Sequence, residues 1–182
     1  MATFYTIGHS NRPLEVFLGL LEQVQIELLA DVRTIPKSRH NPQFNTNELA
    51  AALGAQGITY HHFPKLGGLR SKQKGVTQSL NDYWENPSFR NYADYTATDA
   101  FKEGLGQLRA LGGSRICIIM CAEAVWWRCH RRIITDYLLA AGDEVIHIMG
   151  GGNQEKAKMT EAAVAGSTGV LTYPPIQGSL LS

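Results

Sequence analysis

Between residues 120 and 131 the chain reads Met-Cys-Ala-Glu-Ala-Val-Trp-Trp-Arg-Cys-His-Arg. This short segment holds thiols, a carboxylate, an imidazole and guanidinium groups together. Thiolates are nucleophiles and metal ligands, carboxylates and imidazoles move protons, and guanidinium binds phosphate or carboxylate through paired hydrogen bonds. Cys121 closes an apolar run, and the spacing predicts a helix from about Glu123 to Ala141. Cys121 is therefore expected at a helix N-terminus, where the dipole favours the thiolate and prepares a nucleophile. The plain alternative is a small buried hydrophobe. A protein-phosphatase loop is excluded, because it needs five residues between cysteine and arginine, whereas residues 122–127 separate Cys121 from Arg128. On the expected helix, Trp126, Cys129, Ile133 and Tyr137 share one stripe, which assigns Cys129 to the core. Glu123, Trp127, His130 and Arg131 share another, so that Glu123 orients His130 or pairs with Arg131. An ordinary surface ion pair is the competing reading.

Three other groups carry chemistry. Gly8-His9-Ser10 precedes a helical stretch and offers backbone amides to an anion, although it lacks the spaced glycines of a dinucleotide fingerprint or a P-loop. Asp31 and Arg33 alternate onto one side of a strand end, either to bind a sugar hydroxyl and a phosphate or to form a buried ion pair that fixes a loop. Lys65, Arg70, Lys72 and Lys74, with Tyr83 and Trp84 nearby, suit a lid over a phosphate-bearing or base-containing ligand, or a solvated loop. Lys65 to Trp84 is expected to cover the site and to be mobile. Zinc is weighed at Cys121, Cys129, His130 and His9, but the spacing of the cysteines fits a structural site poorly and no metal is assigned. No cofactor is legible. His61 and His62 point to opposite faces of a strand and cannot act together.

These groups need elements to bring them together. Short β-rich runs alternate with amphipathic stretches, the pattern of βαβ units around a mainly parallel sheet. The expected strands are Thr3 to Ile7, Ile26 to Val32, Ile58 to Phe63, Arg115 to Met120 and Glu144 to Met149. The unbroken apolar fourth run belongs in the centre of the sheet. Helices are expected after Ser10 or Asn11 with Pro13 in the first turn, from Thr46 to Gln56, and from Asp99 to Leu111 before Gly112-Gly113. Pro64 to Thr98 has no clean period and is read as a functional lid or as carrying short helices of its own. The tail from Gly166 is expected to be irregular. In such sheets ligands bind beyond the carboxyl ends of the strands, which selects Gly8, His9 and Ser10, then Asp31, Arg33, Pro36 and Ser38, then Lys65, Gly67 and Gly68, and finally Cys121, Glu123 and His147.

The bulk properties exclude several classes. At 182 residues one α/β domain with a sheet of about five strands flanked by helices is expected. Seventeen basic against sixteen acidic residues give no global bias toward nucleic acid or membranes, so any attraction to phosphate is local. No apolar window is long enough for a membrane span, and the start lacks a signal-peptide pattern. Three cysteines clustered between residues 117 and 129 do not resemble a disulfide framework and point to a reducing, cytoplasmic setting.

The motifs Thr-Ile-Gly-His-Ser at 6–10, Asp-Val-Arg-x-x-Pro-x-Ser at 31–38, Leu-Gly-Gly at 66–68 and the segment from Met120 to Arg131 together resemble the DUF488 family of uncharacterised proteins. Their order runs over roughly the first 150 residues. The resemblance implies an α/β domain without an assigned general activity. It directs attention to His9, Ser10, Asp31, Arg33, Cys121, Glu123, Cys129, His130 and Arg131, and so raises Cys129 against the helical-stripe argument. The leading expectation is an enzyme performing hydrolysis or group transfer on a nucleotide, a nucleic-acid end or another phosphate-bearing compound. Cys121, Glu123, His9 and His130 are its candidate catalytic residues. Gly8, Ser10, Asp31, Arg33, Lys65 and Arg131 are its candidate binding residues. The alternative is a non-catalytic nucleic-acid or protein binding module, with Trp126 or Trp127 as a stacking face.

Overall fold

The computed structural model describes residues 1–177. The elements in chain order are β1 (Thr3–Gly8), α1 (Leu14–Gln23), β2 (Leu28–Asp31), α2 (Thr46–Ala55), β3 (Thr59–His62), α3 (Pro87–Tyr95), α4 (Asp99–Gly112), β4 (Cys117–Cys121), α5 (Arg131–Ala140), β5 (Glu144–Ile148), β6 (Gln154–Lys156), β7 (Val164–Ala165) and β8 (Leu171–Thr172). The main sheet has the order β3-β2-β4-β1-β5-β6. All its pairings are parallel except β5 with β6. The expected five-strand parallel sheet is present, and β6 adds an antiparallel edge to it. β7 and β8 form a separate hairpin.

Side-chain alternation along the central strands divides the core in two. Phe4, Leu28, Cys117 and Ile119 face Phe101, Leu108, Ile134 and Leu138 of α4 and α5, with Tyr92 of α3. Ile7, Leu29, Ile118 and Met120 face Phe17 and Leu21 of α1 and Leu49 and Leu53 of α2. The five residues of β4 are all buried, as a strand covered on both faces requires. The chain leaves β1 toward the α1 side and leaves β4 toward the α5 side, and these strands are neighbours. Such a reversal opens a crevice at the carboxyl ends of the two strands.

Three expectations need correction, and for Pro64 to Thr98 the reading of short helices of its own is the one that holds. The helix expected from Glu123 begins only at Arg131, and residues 122–130 form a loop with one 3-10 turn at Trp126–Arg128. The carbonyls that a helix would use internally are taken by distant donors. Cys121 and Ala122 accept from the backbone amides of His9 and Ser10 at 2.9 and 3.0 Å, and Glu123 accepts from Arg131 Nη2 at 2.7 Å. The stripes drawn through Glu123, Trp126, Trp127 and Cys129 therefore do not exist. Second, α1 starts at Leu14 with Pro13 as its N-cap, because Ser10 adopts a left-handed φ of 50° that breaks the helix before it begins. The stretch from Pro64 to Thr98 carries α3, opened by the Asn86 side chain accepting from Ser88 N and by Pro87 in the first turn. Third, the tail from Gly166 contributes β8, and Tyr173 is buried with its hydroxyl donating to Asp136 at 3.0 Å. The rest of that expectation, residues 178–182, lies outside the described residues. Among the described residues no helix is long and apolar enough to cross a membrane.

Candidate functional site

The carboxyl ends of β1, β2 and β4 enclose a pocket of about 370 Å³. Of the residues selected from the sequence, His9, Arg33, Ser38, Gly68, Cys121, Glu123, Cys129 and His130 line it. Asp31 and Arg131 lie behind it and hold lining residues. Gly8 lies beneath, and a methyl group there would overlap the Glu123 carbonyl, so only glycine lets β1 pass this close to the 122–124 backbone. Ser10 is outside the wall, and the amides of His9 and Ser10 are spent on Cys121 and Ala122, so that loop does not present them to an anion. Lys65 is also outside, in an ion pair with Glu103.

The expected lid contributes only Gly68 and Leu69 to the pocket. Arg70 is turned away, with its guanidinium 3.9 Å from the centre of the Tyr95 ring and donating to the carbonyls of Pro64 and Gly67. Trp84 is buried and stacks on Phe89. The wall expected from this loop comes instead from Ser88, Phe89 and Tyr92 of α3. Lys37 and Arg128 also line the pocket and were not singled out from the sequence as site residues. Lys37 lies inside the Asp31 to Ser38 motif, which was the available signal.

Asp31 and Arg33 form the buried ion pair that the sequence left as one of two readings. The carboxylate accepts from Arg33 N and Nε at 3.1 and 2.9 Å through Oδ1, and from Arg33 Nη2 and the Tyr60 hydroxyl, both at 2.6 Å, through Oδ2. Arg33 Nη2 also donates to the Phe44 carbonyl. Arg33 Nη1 donates to His9 Nε2 at 3.3 Å, while His9 Nδ1 donates to the Ser10 carbonyl at 2.8 Å. Both nitrogens of His9 are thus engaged, and its ring stacks on Phe44. Burial, with the Arg33 charge beside it, lowers its pKa to about 4, and the ring is neutral at pH 7.

The sulfur chemistry is arranged differently from the expectation. Cys129, directly before the α5 N-cap His130, has the thiolate-stabilising surroundings that were expected of Cys121. Its Sγ lies 2.6 Å from Cys121 Sγ and 3.5 Å from His130 Nδ1, and it accepts from Arg131 N and Nε at 3.4 Å each. Burial alone would raise this thiol. The Cys121 hydrogen bond, His130 and the Arg131 guanidinium outweigh it and hold Cys129 well below the usual thiol range. Burial pushes Cys121 well above that range, and its proton has Cys129 Sγ and the Glu123 carbonyl as acceptors. Cys117, inside β4, is pushed up to about 12 by burial.

His130 is fixed from its other side. Its Nε2 donates to the Val32 carbonyl at 2.8 Å, which turns Nδ1 toward Cys129. A thiol, an imidazole and a carbonyl that orients the imidazole are thereby in sequence. Gly68 makes room for the ring, since a methyl group there would overlap Nδ1. Gly68→Ala should displace His130, raise the Cys129 pKa and move the pH at which iodoacetamide labelling reaches its plateau upward by about one pH unit. An unchanged pH profile would show that His130 does not support the thiolate.

Arg131 is almost fully buried, and among the described residues no carboxylate is hydrogen-bonded to it. Its guanidinium donates to Cys129 Sγ, to Glu123 O and to Thr6 Oγ1, and Thr6 in turn hydrogen-bonds His147 Nδ1 at 2.7 Å. The Cys129 thiolate is its nearest compensating anion. Trp126 stacks on His147 with ring centroids 4.6 Å apart, so one face of this expected stacking residue is occupied within the fold. Trp127 remains exposed. Among the described residues no group of three or more His, Cys, Asp or Glu side chains is placed to hold a metal ion.

The fold and pocket define an α/β domain with a thiol-lined crevice at the switch point of a mainly parallel sheet. A family model described as "Domain of unknown function DUF488" matches residues 13–138, and the chain belongs to this family. No curated protein and no solved structure matches the chain.

Proposed function

We propose that the protein is an enzyme that performs hydrolysis or group transfer on a phosphate-bearing substrate of nucleotide size, with Cys129 as its nucleophile. The observation that carries this reading is Cys129 Sγ set between His130 Nδ1 and the Arg131 guanidinium, with His130 oriented by Val32 O. His130 takes the thiol proton, Cys129 forms a bond to the electrophilic centre, and the leaving group departs with that proton. Water or an acceptor then cleaves the bond to sulfur, with the exposed Glu123 carboxylate at the pocket wall as the base for that step. Arg33 Nη1, Lys37 and Arg128 supply positive charge for phosphate, against the single carboxylate of Glu123 in the wall. Ile35, Leu69, Phe89 and Tyr92 supply an apolar side for a base or a similar group. The volume is that of a small-molecule site. Cys121, ranked first from the sequence, passes the nucleophile's role to Cys129. A working thiolate fits the reducing, cytoplasmic setting read from the cysteine pattern. The alternative of a binding module has less support, because Trp126 is already stacked internally.

Labelling with iodoacetamide across pH 5–9, followed by peptide mapping, tests the nucleophile. Cys129 should be modified ahead of Cys117 and Cys121, with a rate already on its plateau below the pH where a free thiol titrates. Inorganic phosphate or a nucleoside monophosphate should protect it. A rate that climbs only near pH 9, or faster labelling of Cys121, would overturn the assignment, and absence of protection would remove the phosphate part of it.

A further inference from the structure

We propose that Cys121 and Cys129 also act as a dithiol couple that reduces a small anionic disulfide held in the same pocket, Cys129 attacking and Cys121 resolving. This goes beyond group transfer but rests on the same reading of Cys129 as nucleophile. In the group-transfer chemistry Cys121 only supplies a hydrogen bond to Cys129, although it is a second free thiol in the same wall. Its sulfur is 2.6 Å from Cys129 Sγ, so a sulfur adduct on Cys129 would form within reach of it.

Both sulfurs are carried by fixed backbone. Cys121 ends β4 and pairs in register with Gly8 of β1, while Cys129 is followed directly by the N-cap of α5. Their surroundings divide the two roles. Cys129 has the hydrogen-bond donors that favour the attacking thiolate, whereas Cys121 keeps its proton next to the Glu123 carbonyl until an adduct forms. Arg33, Lys37 and Arg128 give the pocket a preference for a disulfide that carries carboxylates.

The exchange balances with the disulfide R–S–S–R as oxidant. The Cys129 thiolate forms a bond to one sulfur and the S–S bond of the substrate breaks, releasing R–S⁻ and leaving Cys129–S–S–R. Cys121 sulfur then attacks Cys129 sulfur and expels the second R–S⁻, and the Cys121 proton ends on a released thiolate. The chain is oxidised to a Cys121–Cys129 disulfide and the substrate is reduced to thiols. An external dithiol reverses the oxidation of the chain.

The test treats the fully reduced full-length chain with glutathione disulfide and reads intact mass and peptide maps after acid quenching. The wild type should end lighter by two hydrogen atoms, with Cys121 and Cys129 joined, and dithiothreitol should restore it. Cys121→Ser, checked for folding by circular dichroism, should stop with one glutathione on Cys129. Cys117→Ser should behave as the wild type. A wild-type chain that stalls at the mixed disulfide overturns the couple and needs no variant to show it. If that chain still labels rapidly with iodoacetamide at Cys129, the nucleophile stands and only the couple is wrong. If Cys129 of the folded wild type takes neither reagent, both readings fail.

Discussion

Lowering the pH from 6.5 to 4 should cost the fold about 3 kcal/mol for each of His9 and His147, from a pKa lowered from 6.5 to about 4 in both. Both rings are almost completely buried. Burial is the main cause of each shift, and a nearby arginine adds to it, Arg33 for His9 and Arg131 for His147. In the unfolded chain the rings take up protons at about pH 6.5, but in the folded chain only near pH 4. Between those values the unfolded state binds more protons, so stability falls as pH falls through the window. His147 is held neutral by its hydrogen bond with Thr6, which also accepts from Arg131, and by Trp126 stacked on its face. Urea unfolding at pH 6.5 and pH 4 measures the loss. A His9→Asn/His147→Asn variant should be less stable at pH 6.5 but lose far less between the two values. If wild type and variant decline equally, other groups carry the acid sensitivity and the burial argument fails.

Asp31→Asn should destabilise the protein by about 3–5 kcal/mol, the cost of leaving one half of a buried ion pair unpaired. Arg33 and Asp31 are both buried, and among the described residues no other carboxylate is hydrogen-bonded to the Arg33 guanidinium. The amide would keep the shape of the carboxylate but present donors toward Arg33, with its own amide hydrogens facing N–H groups. Tyr60 would lose a charged acceptor as well. Because Arg33 Nη1 holds His9 and the 33–38 segment forms one side of the pocket, Cys129 labelling should lose its protection by phosphate in the same variant. Urea midpoints read the first effect. The double variant Asp31→Asn/Arg33→Met should recover much of the stability but none of the protection. A loss below about 1 kcal/mol for Asp31→Asn would mean that water or relaxation compensates Arg33, and that the pair does not fix this wall.

Sheet, strand centre and strand ends were legible from local pattern. The apolar run before Cys121 could only be a strand covered on both faces, and the rule for parallel sheets then selected residues that line the pocket or hold it, among them His9, Asp31, Arg33 and Cys121. Cys117, inside the same run, is buried in the core for the same reason. Other features had no local signature. The 122–130 segment has a helix-compatible pattern, yet its carbonyls find donors in His9, Ser10 and Arg131, and contacts so far apart in sequence leave no period to read. That displacement of the helix start by eight residues from the expected Glu123 exchanged the roles of the two cysteines. The dipole and donors that were expected at Cys121 belong to Cys129, whose thiolate depends on a histidine held by Val32 and an arginine held by Thr6 and Glu123. Residue types and strand order are local properties, so the sequence by itself determined which chemical groups meet at one end of the sheet. A thiol's charge depends on burial and on donors from distant segments, so only the tertiary structure decided which of the two cysteines has surroundings that favour a thiolate.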